Sequence, residues 1–423
     1  MNTHNARLRS IVAGSAGNLI EWYDWYAYSA FSLYFAPVFF PAGDRTAELL
    51  RAAAVFAVGF VVRPVGAWIM GNYADRRGRK SGLALSVAAM CAGSLAIALA
   101  PSHARAGALS PAILVGARLL QGLSVGGEYG ASATYLSEIA VSRHRGFWSS
   151  FQYVTLVAGQ LLALGVLAGL QWALPRPALE AWGWRVPFAI GAALAVVVFF
   201  LRRDLVETAT PDAARRRGGA LALVREHPQE AALVVGLTAG GTVAFYTYTT
   251  YLQKFLVVTS GFAAETATRI TALALGVFML LQPVVGALSD RVGRRPVMIA
   301  FGVLGATTTY PLLVALAGTR DPRVAFALAL GALVIVSGYT AINAVVKAEL
   351  FPAHVRALGV ALPYAVANTL FGGTAEYVAL RLKTAGHERV FFVYVSALIA
   401  ASLVVYARMR ETRTEGRIGS IER

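Results

Sequence analysis

Apolar runs of about twenty residues recur along this chain, separated by short polar segments. That is the length an α-helix needs to cross the hydrocarbon of a bilayer, where a helix can satisfy every backbone hydrogen bond within itself. The runs fall near 11–36, 49–72, 82–100, 111–137, 148–170, 184–201, 230–256, 268–289, 297–317, 324–347, 358–381 and 390–407. No soluble core could hide so much apolar material. Of 423 residues, 57% are apolar and 14% charged, against about half and about a quarter in an ordinary soluble domain. The pattern predicts an all-α polytopic membrane protein with about twelve transmembrane helices. The first run carries Glu21 and Asp24 and is too long for the apolar part of a cleaved leader, so it reads as a retained span.

The arginine-rich interval 202–228 divides the runs into two sixes. The expected organisation is a six-helix half over 1–201, a linker over 202–228, and a second half with a short tail over 229–423. A net charge of +16 would suggest nucleic acid in a soluble protein. Here the basic residues sit between spans, and they report topology instead. One set of loops holds Arg76, Arg79, Arg143, Arg145, the linker arginines, Arg291, Arg294, Arg295, Arg356 and the tail from Arg408. The opposite loops hold scattered single charges. The positive-inside rule then puts both termini in the cytoplasm. The one cysteine, Cys91, excludes an intramolecular disulfide.

Two motifs occur twice. Gly71-Asn-Tyr-Ala-Asp75-Arg76-Arg-Gly78-Arg79-Lys80 follows the second run, and Gly286-Ala-Leu-Ser-Asp290-Arg291-Val-Gly293-Arg294-Arg295 follows the eighth, 215 residues later. Glu138…Arg145 and Glu349…Arg356 follow the fourth and tenth runs, 211 residues apart. Matching offsets indicate a duplicated six-helix unit. In the first motif, Gly71 and Gly286 allow close helix approach. Asp75 and Asp290 can pair with an arginine or cap a helix N-terminus, and Gly78 and Gly293 permit a tight turn. Such a latch can close one end of a bundle and release when helices shift.

Gly-x-x-x-Asp-Arg-x-Gly-Arg-Arg/Lys in both halves resembles the signature of the major facilitator superfamily. The segments Gly17-Asn-Leu-Ile-Glu21-Trp-Tyr-Asp24-Trp-Tyr-Ala-Tyr28 and Arg118-Leu-Leu-Gln121-Gly-Leu-Ser-Val-Gly-Gly-Glu128-Tyr-Gly are similar to its metabolite:proton symporter family. The similarity covers nearly the whole chain. The stretches ending in Lys254 and beginning at Lys347-Ala-Glu349 are most similar to the bacterial α-ketoglutarate permeases. Carriers of shikimate, citrate, proline and betaine share the same frame. The resemblance implies a major facilitator fold, alternating access, protons as the coupling ion without a cofactor, a monomer, and a place in the bacterial inner membrane.

An ionisable group inside a span costs at least a few kcal/mol, so each one is a functional candidate. Of 38 Lys and Arg, three fall well within runs: Arg63, Arg118 and Lys347. The acids are Glu21, Asp24, Glu128 and Glu376. Asp24 and Arg118 lie on the first and fourth runs, which line the central cavity of facilitator-type folds. A carboxylate held by a guanidinium stays ionised; if the guanidinium turns to a substrate anion, the carboxylate takes up a proton. Glu21, one helical turn earlier, is an alternative. Glu128, on nearly the same helical face as Gln121, is either a second proton site or a helix-to-helix hydrogen bond. Arg63 precedes Pro64 and either satisfies carbonyls that the proline frees or binds substrate. Glu376 is expected to pair with Arg381.

Tyr339, Asn343 and Lys347 form one stripe on the tenth run, with Lys347 near its cytoplasmic end as ligand or gate. Tyr246 and Thr249 belong to a polar patch on the seventh. Together with Arg63, Arg118, Tyr28 and Gln121, these are the candidate substrate contacts. The chain shows no metal-ligand spacing, nucleotide-binding loop or nucleophile constellation. A secondary transporter importing a small dicarboxylate, most similar to α-ketoglutarate carriers, is the expected function, ahead of other organic acids or zwitterions and of a non-transporting sensor. A dianion carried with one proton would oppose the membrane potential by about 2.3 kcal/mol per 100 mV. The several intramembrane acids suggest at least two.

Overall fold

The computed structural model describes residues 3–41, 43–77, 79–125, 134, 137, 142–203, 223, 225–353, 355–416 and 418. Within them, side chains are described from Asn18 onward, except at 71–72, 74–83, 142, 198–199 and 201–203. Those residues are helical, joined by short turns, in the order expected from the apolar runs. Span one is Thr3–Phe39, span two Arg45–Val61 continued by Arg63–Arg77, span three Arg79–Leu99, span four Leu109–Val125, span five Arg145–Ala173 and span six Val186–Arg203. In the second half, span seven is Pro228–Tyr248 continued by Leu252–Val258, span eight Ala264–Val292 and span nine Arg294–Gly318. Span ten is Pro322–Thr340 continued by Asn343–Leu350, span eleven Arg356–Ala367 with Ala375–Thr384, and span twelve Glu388–Arg408. Seven of these helices are long and apolar enough to cross a membrane. Leu99, Trp172, Leu280 and Val284 stand exposed on the outer surface, which a lipid solvent requires. Inside, a continuous apolar core runs through both halves.

Several spans are broken, and each break leaves backbone groups that must be satisfied away from lipid. In span two, Pro64 has no N–H to offer the Phe60 carbonyl; the Thr369 hydroxyl of span eleven takes it at 2.8 Å. Span seven opens at Thr249–Tyr251. The Thr249 carbonyl accepts from the Tyr26 hydroxyl at 2.8 Å, and the Thr250 carbonyl from Ser29 at 3.3 Å, both on span one. Span ten breaks at Ala341–Ile342, and span eleven contains a π-helical turn at Asn368–Gly372. The breaks in spans two and seven meet side chains of the opposite half.

At the end bearing the basic loops, the halves are tied by the second-half copy of the repeated motif. Gly286 of span eight meets Gly146 of span five; a Cβ on either glycine would come within 2.5 Å of the other's carbonyl oxygen. That closeness brings the span-five N-terminus onto Asp290, whose carboxylate accepts the backbone N–H groups of Gly146 at 2.8 Å and Phe147 at 2.9 Å. A carboxylate there also meets the positive end of the helix dipole. Arg294, fully buried, donates to Asp290 at 2.9 Å and lies 3.6 Å from Glu349. Asp290 thus both pairs with an arginine and caps a helix, but the helix belongs to the other half. Gly293 turns the chain with φ of +103°, a conformation that disfavours any side chain.

Arg356 donates to the Ala348 and Phe351 carbonyls, both at 3.1 Å, closing the end of span ten. The tail crosses the same end. Glu411 accepts the N–H groups of Arg294 and Arg295, Thr412 donates to Glu349, and Arg145 donates to the Ile418 carbonyl. Arg291 is exposed, and its carbonyl accepts from Arg413. The first-half copy of the latch, Gly71, Asp75, Arg76, Gly78 and Arg79, and also Glu138, lie outside the described residues or side chains.

Asp290→Ala removes the acceptor of two backbone N–H groups and the counter-charge of Arg294, a cost of about 1–3 kcal/mol to closure of the basic end. A cysteine placed at Ser150 in a Cys91→Ser background should then react with a polar thiol reagent several times faster than in the Asp290 parent. Equal rates would show that Asp290 does not hold this end closed.

Candidate functional site

Helical spacing puts Glu21, Asp24, Trp25 and Tyr28 on one stripe of span one, turned into the bundle, and all four are buried. Span four faces them with Arg118 and, three residues on, Gln121. Asp24 and Arg118 were expected to pair directly; the Gln121 amide stands between them instead. Arg118 Nη1 donates to Gln121 Oε1 at 2.8 Å. Gln121 Nε2 donates to Asp24 Oδ2 at 2.5 Å and approaches Ser94 Oγ of span three at 3.1 Å. Ser94 Oγ donates to the other carboxylate oxygen. Asp24 is therefore held by neutral donors, and Gln121 is oriented by the guanidinium on one side and the carboxylate on the other.

The consequence for Arg118 is that Nε and Nη2 are buried without a hydrogen-bond partner. Arg63 is in the same position: buried, with Nε and Nη2 unpartnered. Thr369, not Arg63, serves the carbonyl that Pro64 leaves open, so the carbonyl-satisfying role considered for Arg63 falls to another residue. Both guanidiniums lie against one indole. Their central carbons are 4.0 Å (Arg63) and 3.7 Å (Arg118) from the Trp25 ring centroid. Phe60 adds a contact to Arg63 at 3.8 Å, and Tyr28 one to Arg118 at 4.5 Å. Ring quadrupoles return up to about 2 kcal/mol for a desolvated cation, whereas an unpaired buried charge costs several. Aromatic packing therefore holds the two cations in place without discharging them. Two buried cations with open donors have the chemistry to hold an anion.

The remaining expected contacts divide into two groups. Tyr246 packs against Phe60 at 5.5 Å and Trp22 at 6.4 Å, beside the guanidiniums. Thr249 lies elsewhere, its hydroxyl given to the Phe245 carbonyl at 2.7 Å. The stripe on span ten forms as expected: Lys347 donates to Asn343 at 2.9 Å and lies 6.0 Å from the Tyr339 ring, and 4.0 Å from the ring of Tyr364. It is a separate cluster toward the basic end. Glu128 lies outside the described residues.

Glu376 does not pair with Arg381, which is exposed. Its partner is Lys254 of span seven, at 2.5 Å, with both residues buried. Lys254 is a fourth intramembrane cation that reading the runs placed at a span end. The signal was its position in the polar stretch Thr249–Lys254, which an uninterrupted apolar helix would not carry. Among the described residues, no His, Cys, Asp and Glu group could hold a metal ion.

The family model for sugar (and other) transporters matches residues 10–210 and 219–417. The chain belongs to this family of the major facilitator superfamily. Among its relatives, the alpha-ketoglutarate permease of Escherichia coli is 53% identical over 400 residues, covering 94% of this chain and 93% of the relative. The citrate-proton symporter of Klebsiella pneumoniae is 34% identical over 382 residues, covering 89% and 86%. In shape, the chain matches a proton:xylose symporter bound to 6-bromo-6-deoxy-D-glucose with a TM-score of 0.79 at 17% identity, covering 99% of this chain and 98% of that one. A partially occluded, inward-open form of the xylose transporter from E. coli matches with a TM-score of 0.76 at 18% identity, covering 96% and 98%. These relatives are transporters, not enzymes, and the fold is that of the family.

Among the described residues of this family member, Gln121 links the acid to the arginine. Gln121→Leu should cost about 1–3 kcal/mol, the penalty for leaving buried charged groups without that partner. Thermal unfolding in detergent would show it as a lowered midpoint; an unchanged midpoint would mean that the bridge from Asp24 to Arg118 adds nothing to stability.

Proposed function

We propose that the protein imports a small dicarboxylate, most closely α-ketoglutarate, together with protons by alternating access. The observation that carries this reading is the pair of buried guanidiniums sharing Trp25 with unsatisfied donors. A site with two such cations suits a dianion better than a zwitterion or a sugar. Arginine's planar fork also matches a carboxylate with two parallel hydrogen bonds. The likeness to an alpha-ketoglutarate permease at 53% identity and to a citrate-proton symporter supports the same substrate class.

Asp24 is the proposed proton carrier, with Glu21 and Glu128 as further acids of the path. A substrate carboxylate on Arg118 draws the guanidinium away from Gln121. The amide then reorients, and Asp24, losing a donor in a low-dielectric site, takes a proton from the open side. Substrate and proton thus load together. Tyr28, Gln121 and Tyr246 border the proposed substrate space, while Tyr339, Asn343 and Lys347 line its path toward the basic end. The latch residues Gly71, Asp75, Arg76, Gly78, Arg79, Glu138 and Arg145 would work with Gly286, Asp290, Arg291, Gly293, Arg294, Glu349 and Arg356 as the gate at that end. Residues 1–201 and 229–423 would move as two half-bundles joined by 202–228, in a bacterial inner membrane, as a monomer with both termini in the cytoplasm.

Uptake of labelled α-ketoglutarate by proteoliposomes, competed with citrate, shikimate and proline, tests the substrate. Competition by proline or shikimate as strong as that by unlabelled α-ketoglutarate would overturn it. In the same vesicles Asp24→Asn should lower accumulation driven by a pH gradient at least several-fold while exchange of preloaded substrate remains measurable; full accumulation would shift the proton to another acid.

Arg118→Lys should be nearly as damaging as Arg118→Ala, because an ammonium offers no bidentate fork. Both should weaken substrate binding by about ten-fold or more, the loss of one charge-assisted hydrogen bond. A lysine variant with parental affinity would show that charge alone suffices.

A further inference from the structure

We propose that Lys254 and Glu376 form a second site for a proton and a carboxylate, in which a proton on Glu376 releases Lys254 to hold the second carboxylate of the transported dianion. This rests on the dicarboxylate reading of the guanidinium site. Lys254 Nζ donates to Glu376 Oε1 at 2.5 Å and to Ser29 Oγ at 2.8 Å, and Ser29 Oγ lies 3.3 Å from Glu376 Oε2. All three residues are buried. They join spans seven and eleven of one half to span one of the other, at the end opposite the basic loops. A buried ion pair adds little stability over apolar packing of the same volume, so fold cement is a poor account of it.

Its neighbours point to transport. Ser29 directly follows Tyr28, whose ring carries Arg118 at 4.5 Å, and Tyr28 lies within the electrostatic reach of both Arg118 and Glu376. The two cationic sites are therefore one residue apart along span one. The Tyr26–Thr249 and Gln171–Thr268 hydrogen bonds close the same end between the halves. For that end to open, Ser29 must leave Lys254 and Glu376, and the pair meets water.

The exchange balances. A hydronium ion gives its proton to a Glu376 carboxylate oxygen, and Lys254 keeps all of its own. The ammonium then trades the Glu376 carboxylate for a carboxylate of the solute. The site is neutral before and after, so entry of one carboxylate is matched by one proton. At the other side the solute leaves, Glu376 releases its proton, and the pair re-forms. The ionisable groups facing Glu376 are Lys254 and Tyr251 of span seven and Tyr26 and Tyr28 of span one. Span two, packed on the same segment, carries Glu48 and Arg51 in its first turns. Span twelve carries Glu388, which is engaged by Thr259 and Lys383.

The test is the reversal condition for α-ketoglutarate in proteoliposomes, with pH gradient and potassium-set voltage varied independently. The parent should carry two protons per dianion, one each through Asp24 and Glu376, and Glu376→Gln should carry one. A parent count of one would overturn the proposal, as would an unchanged count in Glu376→Gln. Lys254→Gln should raise KM by about ten-fold or more. The Lys254→Gln, Glu376→Gln double variant replaces the ion pair by a neutral hydrogen bond that preserves packing. It should show both the raised KM and the lost proton, and a parental count in it would equally overturn the proposal. If the parent carries no α-ketoglutarate at all, the dicarboxylate reading fails and this inference with it. Transport by the parent together with a parental count in the variants defeats this inference alone.

Discussion

The structure turns on two guanidiniums that share one indole in the interior of a membrane bundle. Arg63 and Arg118 have been taken out of water, packed against Trp25, Phe60 and Tyr28, and left with donors unfilled. Removing a cation from water costs several kcal/mol that aromatic contacts return only in part. The carboxylate of Asp24 is bonded to Ser94 and Gln121 and to neither guanidinium. The bundle thus carries two buried cations with open donors at its centre, and the proposed transport cycle depends on when an anion can reach them.

In the proposed cycle, access is set by the contact between halves at both ends. At the basic end, a pair of glycines lets span eight touch span five closely enough for Asp290 to hold the span-five N-terminus. At the opposite end, Tyr26 and Ser29 take carbonyls freed where span seven is broken. Both sets of bonds are short-range and lie at opposite ends of the bundle, the arrangement that the proposed alternating access requires. The breaks in spans two and seven fit this arrangement: they put backbone acceptors where the partner half reaches them, and away from lipid.

Much of this was legible in the residues. Among the described residues the helices follow the order of the apolar runs because hydrocarbon thickness sets a minimum length for each span. Asp290 was legible as pairing residue and cap, since a carboxylate beside glycines and arginines at a helix end has few other uses. Which helix it caps was not, because sequence spacing says nothing about an N-terminus 144 residues away. The same limit explains the Gln121 bridge and the Lys254–Glu376 pair, whose partners lie 97 and 122 residues apart. Glu376 was assigned to Arg381 by local spacing, but on span eleven those two residues diverge and Arg381 faces outward. Arg63 was ambiguous because Pro64 announces a free carbonyl without saying who satisfies it; the answer, Thr369, lies in the other half.

The central claim is that the two unsatisfied guanidiniums receive a carboxylate of the transported anion. A structure of the protein determined with α-ketoglutarate bound tests it most directly. The account predicts a substrate carboxylate within hydrogen-bond distance of Nε or Nη2 of Arg118 or Arg63, over the Trp25 ring. Density for the anion on Lys347 or elsewhere along the path, with both guanidiniums still unpartnered, would contradict it.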